Sequence, residues 1–161
     1  MTRTIQLEEV RPGEWRVVVA SAPDELLAPA AHARVVAARP LWLRAAWWTS
    51  EAWVTIGTTI YPPRRAVWPG ASMSTLAHEL IHVRQWLDLG PLLWLVYLLG
   101  VPLPLGLAWG RYCIEREAYA YEIRHHGASP EVCARAVSSP LYGWAWPRAW
   151  ALAYFRRVTA K

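Results

Sequence analysis

His78-Glu79-Leu80-Ile81-His82 sets two imidazoles four residues apart with a carboxylate beside the first. On a helix that spacing brings both rings to one face, one turn apart, where a single zinc ion can take a nitrogen from each. Glu79 is then placed to take a proton from a water that such an ion activates. Metal-assisted hydrolysis is the chemistry these residue types imply. A zinc site open to substrate uses three protein donors, so one more ligand must come from elsewhere.

The residues around the pair read as a helix with both ends marked. Ser72 or Ser74 can cap its start, and Gly90-Pro91 supplies a left-handed stop followed by a residue that cannot continue. At about 100° per residue, Leu76, Leu80, Val83 and Leu87 share one stripe, with His78, His82 and Gln85 nearly opposite. The apolar stripe is expected to bury, aiming the imidazoles at whatever covers the other side.

A second helix is predicted over Tyr112–His126, stopped by Gly127. Glu115, Tyr119, Glu122 and His126 line one stripe of it. Ile114, Ala118 and Tyr121 flank that stripe on one side, Tyr112 and Ile123 on the other. Carboxylates between apolar shoulders need a partner such as a metal. Glu115 is the expected third ligand. Glu117 points the other way, near Arg116 and Arg124 on what reads as a solvated face, and is the fallback. His125 and His126 receive no role.

Together these motifs resemble a small zincin metallopeptidase of the gluzincin kind, and short bacterial members most. His78-Glu79-x-x-His82 is followed by Glu115-x-x-Ala118-Tyr119, where many such families carry Glu-x-x-Ala-Asp. The match covers roughly Trp53 to Glu122. The resemblance implies an α+β, zincin-like fold, with a small antiparallel sheet packed beside the HExxH helix and a second, Glu-bearing helix. It implies Zn2+ as cofactor, His78, His82 and Glu115 as its ligands, and Glu79 as general base in hydrolysis of a peptide or protein substrate. It also implies that 55–61 is the edge strand along which the peptide lies, with Thr55, Gly57 and Thr59 on the face that meets it. Tyr119 stands where relatives often place an Asp that orients a ligand histidine. Its hydroxyl, or Glu122 one turn on, takes that duty.

The chain has 161 residues, enough for one domain with a sizeable core, read here as 1–161 with the metal-site core at about 53–126. Apolar residues make up 55% and tryptophans number twelve, which excludes a disordered chain. The net charge of +5 comes from arginines scattered without a dense run, and no nucleic-acid motif appears, so nucleic acid is not an expected partner. Cys113 and Cys133 can pair across adjacent helices but nothing requires it. The N-terminus has no apolar run, and a reduced, cytoplasmic setting is the expectation.

Other elements follow from pattern. Residues 4–10 and 15–20 read as strands around a Pro-Gly turn. A helical or turn segment starts at Ser21 and is interrupted at Pro29; 30–38 and 41–48 read as helices. Residues 53–61 alternate as one strand. The uncharged stretch 89–110 is cut by glycines and prolines. It reads as an apolar helical hairpin that packs on the core or dips into a membrane surface through Trp94, Tyr97 and Trp109. Helices are predicted from Pro130 to about Ser138 and over 147–157. Two rival functions stay open: a non-catalytic, zinc-stabilised domain, and a membrane-surface interaction protein.

Overall fold

Pro12-Gly13 makes the first turn. Gly13 takes φ +78°, a conformation that suits glycine, and joins β1 (Thr4–Arg11) to β2 (Glu14–Ser21) as an antiparallel hairpin. The computed structural model describes residues 4–21, 24–45, 52–63, 73–98, 109–140 and 146–160. Helix α1 (Asp24–His32) carries Pro29 inside it, so the proline does not interrupt the helix as expected. The predicted helix over 30–38 is also corrected. Its first residues finish α1, and Arg34–Val36 forms β3, pairing antiparallel with β2. Val35 is wholly buried there. Ladder pairing and burial of β-branched valines override the helix propensity of the neighbouring alanines. Helix α2 is short, Leu41–Ala45; the rest of the 41–48 prediction lies outside the described residues.

The single strand expected over 53–61 is two. β4 (Val54–Ile56) and β5 (Thr59–Tyr61) run antiparallel, joined by Gly57-Thr58 with Gly57 at φ +63°. Two residues with a positive-φ glycine are what a tight hairpin demands, and alternation alone cannot reveal it. Among the described residues the sheet order is β1-β2-β3-β5-β4, which puts β4 at an edge. All pairs are antiparallel except β3 with β5. The expected all-antiparallel sheet is therefore corrected at that pair, because the chain crosses over between the two strands. Buried Arg39 closes the open end of the β4–β5 hairpin: its Nε donates to the Pro62 carbonyl at 2.8 Å and its Nη2 to the Ala52 carbonyl at 2.5 Å. The fold is thus mixed α+β with a five-stranded sheet.

Helix α3 (Met73–Leu89) ends at Gly90, φ +54°, as its sequence requires. Helices α4 (Leu92–Leu98), α5 (Trp109–His126), α6 (Pro130–Val137) and α7 (Arg148–Thr159) follow. Gly127, at φ +68°, stops α5. The chain divides into two compact units, Met1–Asp88 and Leu89–Lys161.

In the first unit Val35, Ile60, Leu80 and Val83 are completely buried. In the second, Tyr112, Ile123, Cys133, Val137 and Phe155 form one core cluster. Cys113 and Cys133 are both free, and burial, with the charge of Glu122 adding to it, pushes the Cys133 thiol up to about 12. Arg116, expected on a solvated face, instead lies over the rings of Tyr154, Trp109 and Tyr112 at 5.2, 5.4 and 5.6 Å. Among the described residues no helix is long and apolar enough to cross a membrane.

Of the apolar stretch 89–110, α4 and the start of α5 are described, and they pack closely. A Cβ built at Gly110 would sit 2.1 Å from the Val96 carbonyl oxygen. Backbone cannot yield there as a side-chain tip can. Gly110→Ala is expected to cost about 3 kcal/mol in urea unfolding, at the upper end of overpacking. Gly127→Ala, whose new methyl meets nothing within 4 Å, should cost only the left-handed penalty of about 1 kcal/mol. Equal losses would show that α4 and α5 do not approach through Gly110.

Candidate metal centre

Helix α3 touches the sheet along its length. The Ile5 amide donates to Met73 Sδ at 3.3 Å, and the Gly57 turn lies over Trp86, whose ring is 3.5 Å from where a Cβ would stand. Leu76, Leu80 and Val83 are buried as the stripe predicts. Leu87, its last member, is 43% exposed, one turn from the Gly90 stop. On the opposite face His78 and Gln85 are 6% exposed and His82 is half-buried; Glu79, nearer the apolar stripe, is also 6% exposed. Polar groups so far from water must be met by partners.

The partners are specific. The Thr55 hydroxyl, on β4, donates to Glu79 Oε2 at 2.5 Å, within the short range of bonds to a carboxylate. His82 Nδ1 lies 2.9 Å from Gln85 Oε1. The His78 and His82 rings stand edge to face, their centroids 5.0 Å apart. On α5, Glu115 is 5% exposed. His78, His82 and Glu115 each offer one ligand atom, and these atoms all lie within 4.8 Å of one another.

That group can hold a metal ion. Two imidazoles and a carboxylate are a donor set that zinc accepts, and two of the three, His78 and Glu115, are buried away from water.

The other expected site residues are distributed as follows. Glu117 is exposed and lies outside the group among the described residues. Tyr119 is half-buried, its ring edge-on to Phe155 at 6.3 Å. Glu122 is half-buried on the same stripe of α5. His125 and His126 stack near Tyr121, at 4.3 and 6.0 Å.

The three residues expected along the substrate strand fall in three different places. Thr55 is on the edge strand, but its hydroxyl serves Glu79. Gly57 is in the hairpin turn. Thr59 is on the inner strand β5, where its Oγ1 accepts from Arg34 Nε at 3.1 Å. Sequence reading missed both polar partners of α3. Gln85 had a usable signal, since a residue three beyond a histidine on a helix faces it. Thr55 had none, because its contact exists only once β4 is placed.

Purified protein dialysed against zinc is expected to retain about one ion per chain by elemental analysis, and His82→Ala and Glu115→Ala each to retain far less. Wild-type protein that holds no metal would remove the centre.

Comparison with family models, with curated proteins and with solved structures finds no match to this chain, so the reading of the site stands on its own residues.

Proposed function

We propose that the chain hydrolyses peptide bonds in a zinc-dependent reaction, with His78, His82 and Glu115 holding the ion and Glu79 acting as general base. The observation that carries this reading is the buried Glu79 carboxylate, held by the Thr55 hydroxyl, beside a His-His-Glu group whose ligand atoms lie within 4.8 Å of one another. Zinc bound there would supply a Lewis acid that acidifies a water and polarises a carbonyl. Glu79 accepts the proton of the attacking water as the new C–O bond forms. It then gives that proton to the departing amine as the C–N bond breaks. Thr55 limits the carboxylate to one orientation, leaving Oε1 for the transferred proton. β4 is an edge strand, and an extended peptide can add to it by main-chain hydrogen bonds. Tyr119 and Glu122, on the stripe that carries Glu115, are the outer polar groups of the α5 side.

One observation favours a second reading. His78 and Glu115 are only 6% and 5% exposed, and structural zinc sites are closed in this way. In that case the metal fastens the fold and no substrate enters. Glu79→Gln separates the two. On the hydrolase reading the variant keeps its zinc and loses peptide hydrolysis by about a thousandfold or more, because a general base supplies that order of acceleration. A variant that hydrolyses as well as wild type would remove Glu79 from the role. No turnover in either protein, with unfolding on chelation, would favour the structural zinc.

For partners beyond substrate, we propose peripheral contact with a membrane surface through α4, which exposes Leu92 at 60%, Leu95 at 54% and Trp94 at 42%. Exposed leucines beside a tryptophan suit the headgroup boundary. Wild-type protein is expected to float with anionic liposomes, and Trp94→Glu/Leu95→Glu to stay behind. A wild type that does not float rules the contact out.

A further inference from the structure

We propose that Gln85 is a positioning residue for His82: its side-chain carbonyl holds the imidazole in the tautomer with hydrogen on Nδ1 and so leaves the Nε2 lone pair for a metal. The second half of this statement rests on the metal-centre reading; the hold on the ring does not.

Three observations support it. His82 Nδ1 and Gln85 Oε1 are 2.9 Å apart, a good hydrogen-bond length. Both residues belong to α3, three positions apart, so the helix itself sets their separation and no long-range packing has to be right. Gln85 is 6% exposed, which shields the bond from water that would otherwise compete for the ring nitrogen.

The chemical consequence is definite. A neutral imidazole has one N–H and one lone pair, and only the nitrogen with the lone pair can ligate. Nδ1 is committed to an acceptor, so it carries the hydrogen. Nε2 is left as the nitrogen with the lone pair. An unrestrained histidine side chain favours hydrogen on Nε2, the wrong nitrogen, and must move that proton before it can bind. Gln85 removes this step and also fixes the plane of the ring. Partners of this kind on ligating histidines change metal affinity about 10- to 100-fold. A carboxylate at the same position would keep the acceptor, whereas methionine keeps the length and apolar volume without one.

The test uses metal-free full-length protein labelled with 15N-histidine, in which long-range 1H–15N correlations report the tautomer of each ring. Wild type and Gln85→Glu are expected to show His82 as the Nδ1–H form, and Gln85→Met to shift it toward Nε2–H. Zinc competition against a chromophoric chelator should then show a 10- to 100-fold rise in Kd for Gln85→Met and none for Gln85→Glu. A wild-type His82 with hydrogen on Nε2 overturns the proposal, whatever the variants do. So does a Gln85→Met protein with unchanged tautomer and unchanged zinc affinity. If Gln85→Met does not fold, the wild-type tautomer and the Gln85→Glu affinity decide. An Nδ1–H wild type that binds no zinc supports the hold of Gln85 on the ring and defeats the metal-centre reading, so the two failures are told apart.

Discussion

Burying a polar helix face is the constraint on which the rest depends. His78, Glu79 and Gln85 lie on α3 at 6% exposure each, and Glu115 on α5 at 5%. A buried polar group left without a partner costs about 1–3 kcal/mol, and more when charged. Four such groups would cancel much of the roughly 5–15 kcal/mol that a domain has in hand. Two of the groups have named hydrogen-bond partners. Thr55 meets Glu79 and Gln85 meets His82, while the ligand atoms of His78, His82 and Glu115 lie within 4.8 Å of one another, too far apart for hydrogen bonds at that limit but close enough to hold an ion. A sequence selected for stability alone would have placed aliphatic residues here, as it does at Leu80 and Val83.

The sheet answers that constraint through its last hairpin. Thr55 can reach Glu79 because β4 ends the sheet beside α3, and β4 holds that place because the hairpin is pinned at both ends. At one end Gly57 takes a positive φ of +63°, which suits glycine, and the turn lies in contact with Trp86. At the other, Arg39 binds the carbonyls of Ala52 and Pro62 with one guanidinium. A planar fork with several donors suits this task, and lysine could not make both bonds in that geometry. A cation buried at 7% exposure, serving backbone far from it in sequence, shows how much of the first unit is organised around these three-residue strands.

What the sequence revealed and what it hid divide along one physical line. Helix periods and their stops were readable because they are local: α3 and α5 end at Gly90 and Gly127 as the glycines dictate, and the shoulders of α5 are buried at Tyr112, Ile114, Ala118, Tyr121 and Ile123. The His-Glu-Leu-Ile-His spacing belongs to the same local class, and so does the place of Glu115 on the polar stripe of its own helix. The β-region was misread wherever pairing decided the outcome. Val35 became strand because β2 was there to receive it, although Ala30 to Ala38 reads as helix. Gly57 reads equally as a strand glycine or a turn until Ile56 is known to pair with Thr59. Arg116 looked solvated because its neighbours on the helix are charged, while the rings that hold it come from α5 and from Tyr154 on α7.

The two polar contacts of α3 differ in the same way, and that difference has a mechanistic meaning. His82 and Gln85 are held by a bond internal to one helix, so their relation survives any movement that leaves the helix intact. Glu79 is held by a hydroxyl that arrives from the sheet, and its orientation is only as firm as the β4–β5 hairpin. The imidazole of His82 is thereby fixed within one helix, while the Glu79 carboxylate depends on a contact between helix and sheet, so a change in the hairpin reaches the second and not the first.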